Sequence, residues 1–171
     1  DSTANADASA YTPQEKSNRN IFLEKLGTLY SDQNDLAGAE GAFRQMAALG
    51  GEGAVRGEAR LIELYQEKRE YDKALQESER AVREFPESRE LKVARASVLA
   101  STGNAADALN LLTPLLKNTE EDREVWLAVA QVALRGRDYT RAAEGLAKAE
   151  SLSQSDLEKS YIQFLYGSMW E

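Results

Sequence analysis

The chain contains no cysteine and no histidine. Their joint absence removes thiol nucleophiles, disulfides, Ser-His and Cys-His catalysis, Cys/His zinc sites and histidine pH switching. No stretch approaches the roughly 18 consecutive apolar residues that span a bilayer, so membrane insertion is not expected. No segment is basic. Residues 1–54, 55–88, 89–122 and 123–171 carry −4, −2, −1 and −1, a net charge of −8 over 171 residues. Affinity for phosphate backbones and anionic lipid comes from clustered Lys and Arg, so nucleic acid is not an expected partner. The lack of Cys fits an oxidising or a reducing compartment equally and leaves the localisation open. What remains, 42% apolar and 29% charged residues, is the composition of an ordinary soluble domain.

The first ten residues, DSTANADASA, are small and polar with nothing to bury. They read as part of a flexible segment over 1–12, a processed start or a linker. Thr12 is placed to cap a helix, with Pro13 in its first turn and Glu15 reaching back as capping-box partner. That helix is expected to run to about Gln33.

Self-comparison carries the strongest signal. Ala39, Ala74, Ala108 and Ala142 are separated by 35, 34 and 34 residues. The same offsets link Gly27, Ile62, Ala96 and Ala130, then Tyr30, Tyr65, Leu99 and Ala133, and three further columns beginning at Phe43, Met46 and Asp35. The last of these, Asp35, Glu70, Asn104 and Asp138, precedes a new apolar-periodic stretch each time, where a polar side chain can cap a helix. Within a unit the apolar spacing is helical, as in Leu61, Leu64 and Tyr65, then Tyr71, Ala74, Leu75 and Ala81. Each unit therefore reads as two helices and a tight turn, and one such pair has too little core to offset its chain entropy unless neighbours stack on it. The expected fold is all-α, a right-handed α-α superhelix. It forms a single solenoid over 13–171, with repeats at about 20–54, 55–88, 89–122 and 123–156 and a final capping or half-repeat helix over 156–171.

These residues resemble the tetratricopeptide repeat family. The segment RLIELYQEKREYDKALQESERAVREFPES places Leu61, Tyr65, Tyr71, Ala74, Ala81 and Pro86 where that family's repeat has its recurrent residues, and Trp126 supplies its tryptophan in the fourth unit. The resemblance implies a noncatalytic protein-protein interaction scaffold or adaptor whose first helices line a concave groove for a partner protein or peptide. Carried over position by position, the groove is lined by Glu24, Thr28 and Ser31, by Arg60, Glu63 and Glu67, by Val93, Ser97 and Ala100, and by Leu127, Gln131 and Leu134. The N-terminal half is charged and mainly acidic, while Val93, Ala100, Leu127 and Leu134 make the other half apolar, which suits a partner with apolar anchors and a basic flank. Glu24 and Thr28 stand where the chaperone-binding members would place residues that clamp a terminal carboxylate, which argues against that role.

Ser155 and Glu158 form a second capping-box pattern at the head of the final helix. Its apolar load exceeds one contact face, so the alternative function is a self-associating module, or the repeat portion of a longer protein, assembling through this helix. Ile162, Leu165, Met169 and Trp170 are the candidates for a homodimer contact. No phosphate loop is present, because the glycines of AALGGEG lack the Lys-Ser/Thr ending and read as an interunit turn. Glu120, Glu121 and Asp122 lack the ligand spacing of a calcium loop and read as an acidic turn before a helix N-terminus. No cofactor or metal site is expected, and catalysis by Asp, Glu and Lys has no convergent pocket to support it.

Overall fold

The computed structural model describes residues 11–169. Among them the chain forms α1 (Pro13–Asp32), α2 (Leu36–Ala48), α3 (Glu52–Glu67), α4 (Tyr71–Glu84), α5 (Arg89–Ser101), α6 (Ala105–Leu112), α7 (Arg123–Arg135), α8 (Tyr139–Ser151) and α9 (Asp156–Gly167). Short 3-10 turns at Thr113–Leu115 and Glu120–Asp122 lie between α6 and α7. The chain divides into two compact units, Asp1–Leu91 and Lys92–Glu171, so that the break falls in the first turn of α5.

The helix starts follow from local chemistry. The Thr12 hydroxyl accepts from the Glu15 N–H at 3.3 Å, while the Thr12 N–H donates to the Glu15 carboxylate at 2.8 Å. Ser155 and Glu158 repeat the arrangement at α9. In the turn column, Asp35 and Asp138 cap α2 and α8 through the backbone N–H groups of Gly38 and Arg141. Glu70 and Asn104 make no side-chain cap. Glu70 faces Lys73 at 3.8 Å, and the Asn104 amide turns to the Thr102 hydroxyl at 3.4 Å.

The four interhelix turns share a backbone feature that residue type does not mark. Asn34, Arg69, Gly103 and Arg137, one per repeat, have φ of 61°, 59°, 89° and 58°. The next N–H in each turn bonds back five residues, from Asp35 to the Tyr30 carbonyl, Glu70 to Tyr65, Asn104 to Leu99 and Asp138 to Ala133, at 2.8–2.9 Å. This is the Schellman ending, which satisfies carbonyls the helix leaves open. Its left-handed residue is glycine in one repeat of the four.

In the first unit Leu23, Met46 and Leu49 pack together under Tyr11, and Leu61, Ile62, Leu64, Tyr65, Ala74 and Ala81 are buried. Gly57 on α3 is needed for close approach, since a Cβ there would lie 2.5 Å from the Ala47 backbone nitrogen and 2.8 Å from the Phe43 carbonyl. AALGGEG is the α2–α3 turn, with Gly50 and Gly51 at positive φ. In the second unit one cluster gathers Ala96, Leu112, Leu115, Val125, Val129 and Val132. A second gathers Leu127, Ala130, Leu146, Ala149, Ile162 and Leu165, and Trp126 packs against both.

The acidic turn before α7 is not uniformly solvated. Glu120 and Glu121 are exposed, but Asp122 is fully buried. Pro114 has no N–H and ends α6 early, and Asp122 ties down the irregular segment that follows. Its carboxylate accepts from the Lys117 N–H at 2.7 Å, the Thr119 N–H at 3.3 Å and the Thr119 hydroxyl at 3.4 Å.

Candidate functional site

In the first unit, α1 and α3 bring the sequence-derived groove residues into one bonded set. Arg60 donates from Nε and Nη2 to Glu24 at 2.8 and 2.6 Å, and from Nη1 to Glu63 at 2.7 Å. Arg56 lies 3.8 Å from the second Glu24 oxygen. Contact with Glu24 and Glu63 holds the Arg60 guanidinium above its ordinary range, against the opposing effect of its partial burial. Ser31 is buried and donates to Glu67 at 3.5 Å, while the Lys68 ammonium donates to the Ser31 carbonyl at 2.9 Å. The acidic half of the face is thus partly neutralised from within, by basic residues one helix away. Thr28, Glu63 and Glu67 remain exposed, and Glu24 and Arg60 half-buried.

In the second unit α5 and α7 contribute less open surface than their apolar residues suggest. Ala100 is buried in the α5–α6–α7 core, and Leu127, 9% exposed, packs with Ile162 and Leu165 of α9. Both residues are core rather than lining, because a first helix in a stack must also bury a strip against its neighbours. Val93 is half-buried against the same core as Ala100, and Ser97, Gln131 and Leu134 are half-buried. Gln131 donates to the Tyr161 hydroxyl at 3.0 Å. Arg135 bonds the Ser97 carbonyl at 3.2 Å and the Ser101 hydroxyl at 2.8 Å.

The candidates for self-association are also redistributed. Ile162 and Leu165 point into the second unit's core and Met169 packs against it, so these side chains are already partnered; Trp170 lies outside the described residues. The open apolar strip of α9 is Leu157, Tyr161 and Phe164, which are 83%, 45% and 69% exposed. Their spacing of four and three residues puts them on one face. That spacing is present in the sequence, interleaved with the heavier cluster of Ile162, Leu165 and Met169.

Elsewhere the titratable groups are engaged structurally. Burial holds the Glu58 carboxyl above its ordinary range, opposed by Arg80, which bonds Glu58, Glu77 and Glu84 together. Tyr65 is pushed up to about 12 by burial and by Glu40. Among the described residues no group of His, Cys, Asp and Glu side chains could hold a metal ion, and no helix is long and apolar enough to cross a membrane.

Comparison with known proteins agrees with this architecture. Residues 64–132 match the tetratricopeptide repeat family model. The structure is similar to that of a tetratricopeptide repeat protein from Parabacteroides merdae ATCC 43184, with a TM-score of 0.66 at 21% sequence identity. The match covers 89% of this chain and 58% of that one, so this chain spans rather more than half the length of the solved protein. No curated protein sequence matches the chain. The resemblance to tetratricopeptide repeats is therefore shown, by sequence over residues 64–132 and by fold over most of the chain: an all-α protein of the repeat-solenoid class.

Proposed function

We propose that the protein is a noncatalytic interaction scaffold that binds a segment of a partner protein on the faces its first helices present. The observation that carries this reading is the set of side chains left accessible there. Thr28, Glu63 and Glu67 in the first unit are exposed, and Ser97, Gln131 and Leu134 in the second are half-buried, while their helices are held by cores on other faces. A tetratricopeptide repeat fold uses this surface for partner proteins generally, which favours the reading without naming a partner.

The test is affinity capture with identification of bound proteins, comparing the native chain with Thr28→Trp/Glu63→Trp and with Ser97→Trp/Gln131→Trp. Glu79→Trp, on an exposed position of α4, serves as control. Loss of a captured protein with either face variant, at unchanged helicity and with retention by the control, is expected. Full retention by both face variants removes the assignment.

A second reading, self-association through α9, is favoured by the exposed strip of Leu157, Tyr161 and Phe164. It requires a solution mass that rises with concentration and is returned to the monomer value by Phe164→Glu. A concentration-independent monomer mass rejects it.

A further inference from the structure

The large apolar side chains left exposed among the described residues fall mainly on the first and last helices, Ile21, Phe22 and Leu29 on α1 and Leu157, Tyr161 and Phe164 on α9. The repeat gives these two strips a meaning that exposure alone does not.

Phe22 and Leu29 are seven residues apart, so they share one face of α1. Each heads a column with the offsets 35, 34 and 34, Phe22 leading to Gly57, Leu91 and Val125, and Leu29 to Leu64, Val98 and Val132. All the later members are buried, whereas Phe22 is 62% and Leu29 51% exposed. In α3 and α7 these columns lie under the second helix of the preceding repeat. A Cβ on Gly57 would meet the Ala47 backbone of α2, and Val125 and Val132 cluster with Leu109 and Leu112 of α6. The face of α1 is thus the receiving side of a helix-on-helix contact that the fold makes in later repeats. Its fitting occupant is a short helix with apolar residues three and four apart.

α9 meets that description and is open in a complementary way. It has 12 residues, between the 8 of α6 and the 13 of α2. Ile162 and Leu165 hold it to the second unit's core, which leaves Leu157, Tyr161 and Phe164 at spacings of four and three on another face. Phe164 continues the column of Gly27, Ile62, Ala96 and Ala130, all of them buried. In α1 and α7 that column lies under the second helix of the same repeat: a Cβ on Gly27 would meet the Phe43 ring of α2, and one on Gly145 of α8 would meet Ala130. Both strips therefore call for a helix as neighbour. Pairing α9 with α9 covers one strip and leaves Phe22 and Leu29 in water, while pairing α9 with α1 covers both.

We propose that α9 of one copy packs on the Phe22 and Leu29 face of α1 of a second copy, a head-to-tail contact between two different surfaces. The inference rests on the self-association reading above and names the surface that α9 meets.

The test is sedimentation velocity on the native chain, on Phe22→Glu/Leu29→Glu and on Phe164→Glu, all substituted at exposed positions and checked for unchanged helicity. The native mass is expected to rise with concentration. Each variant alone is expected to stay monomeric, because each lacks one of the two surfaces. Mixed in equal amounts they are expected to form a pair containing one copy of each, since the first variant keeps α9 and the second keeps α1. Association of Phe22→Glu/Leu29→Glu by itself overturns the proposal and leaves self-association through α9 standing. A mixture that remains monomeric overturns it too, and a native chain that is monomeric at every concentration rejects both. An amide-resolved NMR dilution series of the native chain reads the contact without substitution: concentration-dependent shifts at Phe22 and Leu29 together with Leu157 and Phe164 are expected, and shifts on α9 alone overturn the head-to-tail contact.

Discussion

Replacing Arg137 or Arg69 with glycine and with alanine measures the backbone of the interhelix turns directly. Both residues hold φ near 58–59°. Both side chains are exposed, and the bonds that close each turn run from backbone N–H groups that survive either substitution. A residue with a Cβ in the left-handed region is disfavoured by roughly 1–2 kcal/mol, and glycine gives back about 0.5–1 kcal/mol through its freer unfolded chain. Either arginine also places a cation near a helix C-terminus, worth about 0.3–1 kcal/mol. The alanine variant loses that charge and keeps the strained backbone, whereas the glycine variant loses the charge and relieves the strain. The two should therefore differ by about 0.5–1 kcal/mol in favour of glycine at each site. Gly103→Ala, at the same turn position in the third repeat with φ of 89°, should lose a similar amount. Urea unfolding followed by circular dichroism at constant slope resolves such differences through the midpoint. Equal midpoints for alanine and glycine at 69 and 137, together with a neutral Gly103→Ala, would refute the left-handed turn and the repeat register built on it.

Gly57→Ala should destabilise the first unit by about 1–3 kcal/mol, because its Cβ meets backbone that cannot rotate away; an unchanged urea midpoint would count against the α2–α3 packing. Asp122→Ala should cost about 1–3 kcal/mol by leaving the Lys117 and Thr119 N–H groups without their buried acceptor, and faster amide exchange at those two residues reports it. Backbone N–H groups of Gln154 and Ser155 hold the Glu158 carboxyl below its ordinary range. The unfolded chain therefore binds the proton more readily, so the stabilisation is present above the ordinary carboxylate pKa of 4.5 and is lost as pH falls through the lowered folded-state value. Amide protection across α9, exchange measured relative to the intrinsic rate at each pH, should fall over that window in the native chain and show no such step in Glu158→Gln. Leu127→Glu should unfold the α9 contact rather than merely alter a surface, seen as a lower midpoint and faster exchange at Ile162 and Leu165.

The repeat and its helices were legible because their causes are local or periodic. The spacing of Ala39, Ala74, Ala108 and Ala142 reports the same close contact four times, and all four are fully buried. The capping boxes at Thr12–Glu15 and Ser155–Glu158 need only residues three apart, and both form. Asp35 and Asp138 cap as their short carboxylates allow, while Glu70, one methylene longer, pairs with Lys73 instead. The left-handed turn column is not legible in the sequence, because arginine occupies it twice and residue type alone does not mark an arginine as a turn residue.

The assignment of surface was legible only in part. A column shows that Leu127 and Ala100 belong to a first helix, but whether such a residue faces a partner or a neighbouring helix depends on what packs beside it. α9 covers Leu127, and the core around α6 covers Ala100. Arg60 neutralises Glu24 across 36 residues, and Asp122 turns inward to hold a loop. By itself the sequence determined the helical class, the period, the helix starts and the absence of Cys- and His-based chemistry, since these follow from residue types at short or repeated intervals. Tertiary structure alone decided which charges are already paired and which apolar residues are spent on the core. Those properties depend on neighbours distant in the chain, and no local pattern encodes which neighbour arrives.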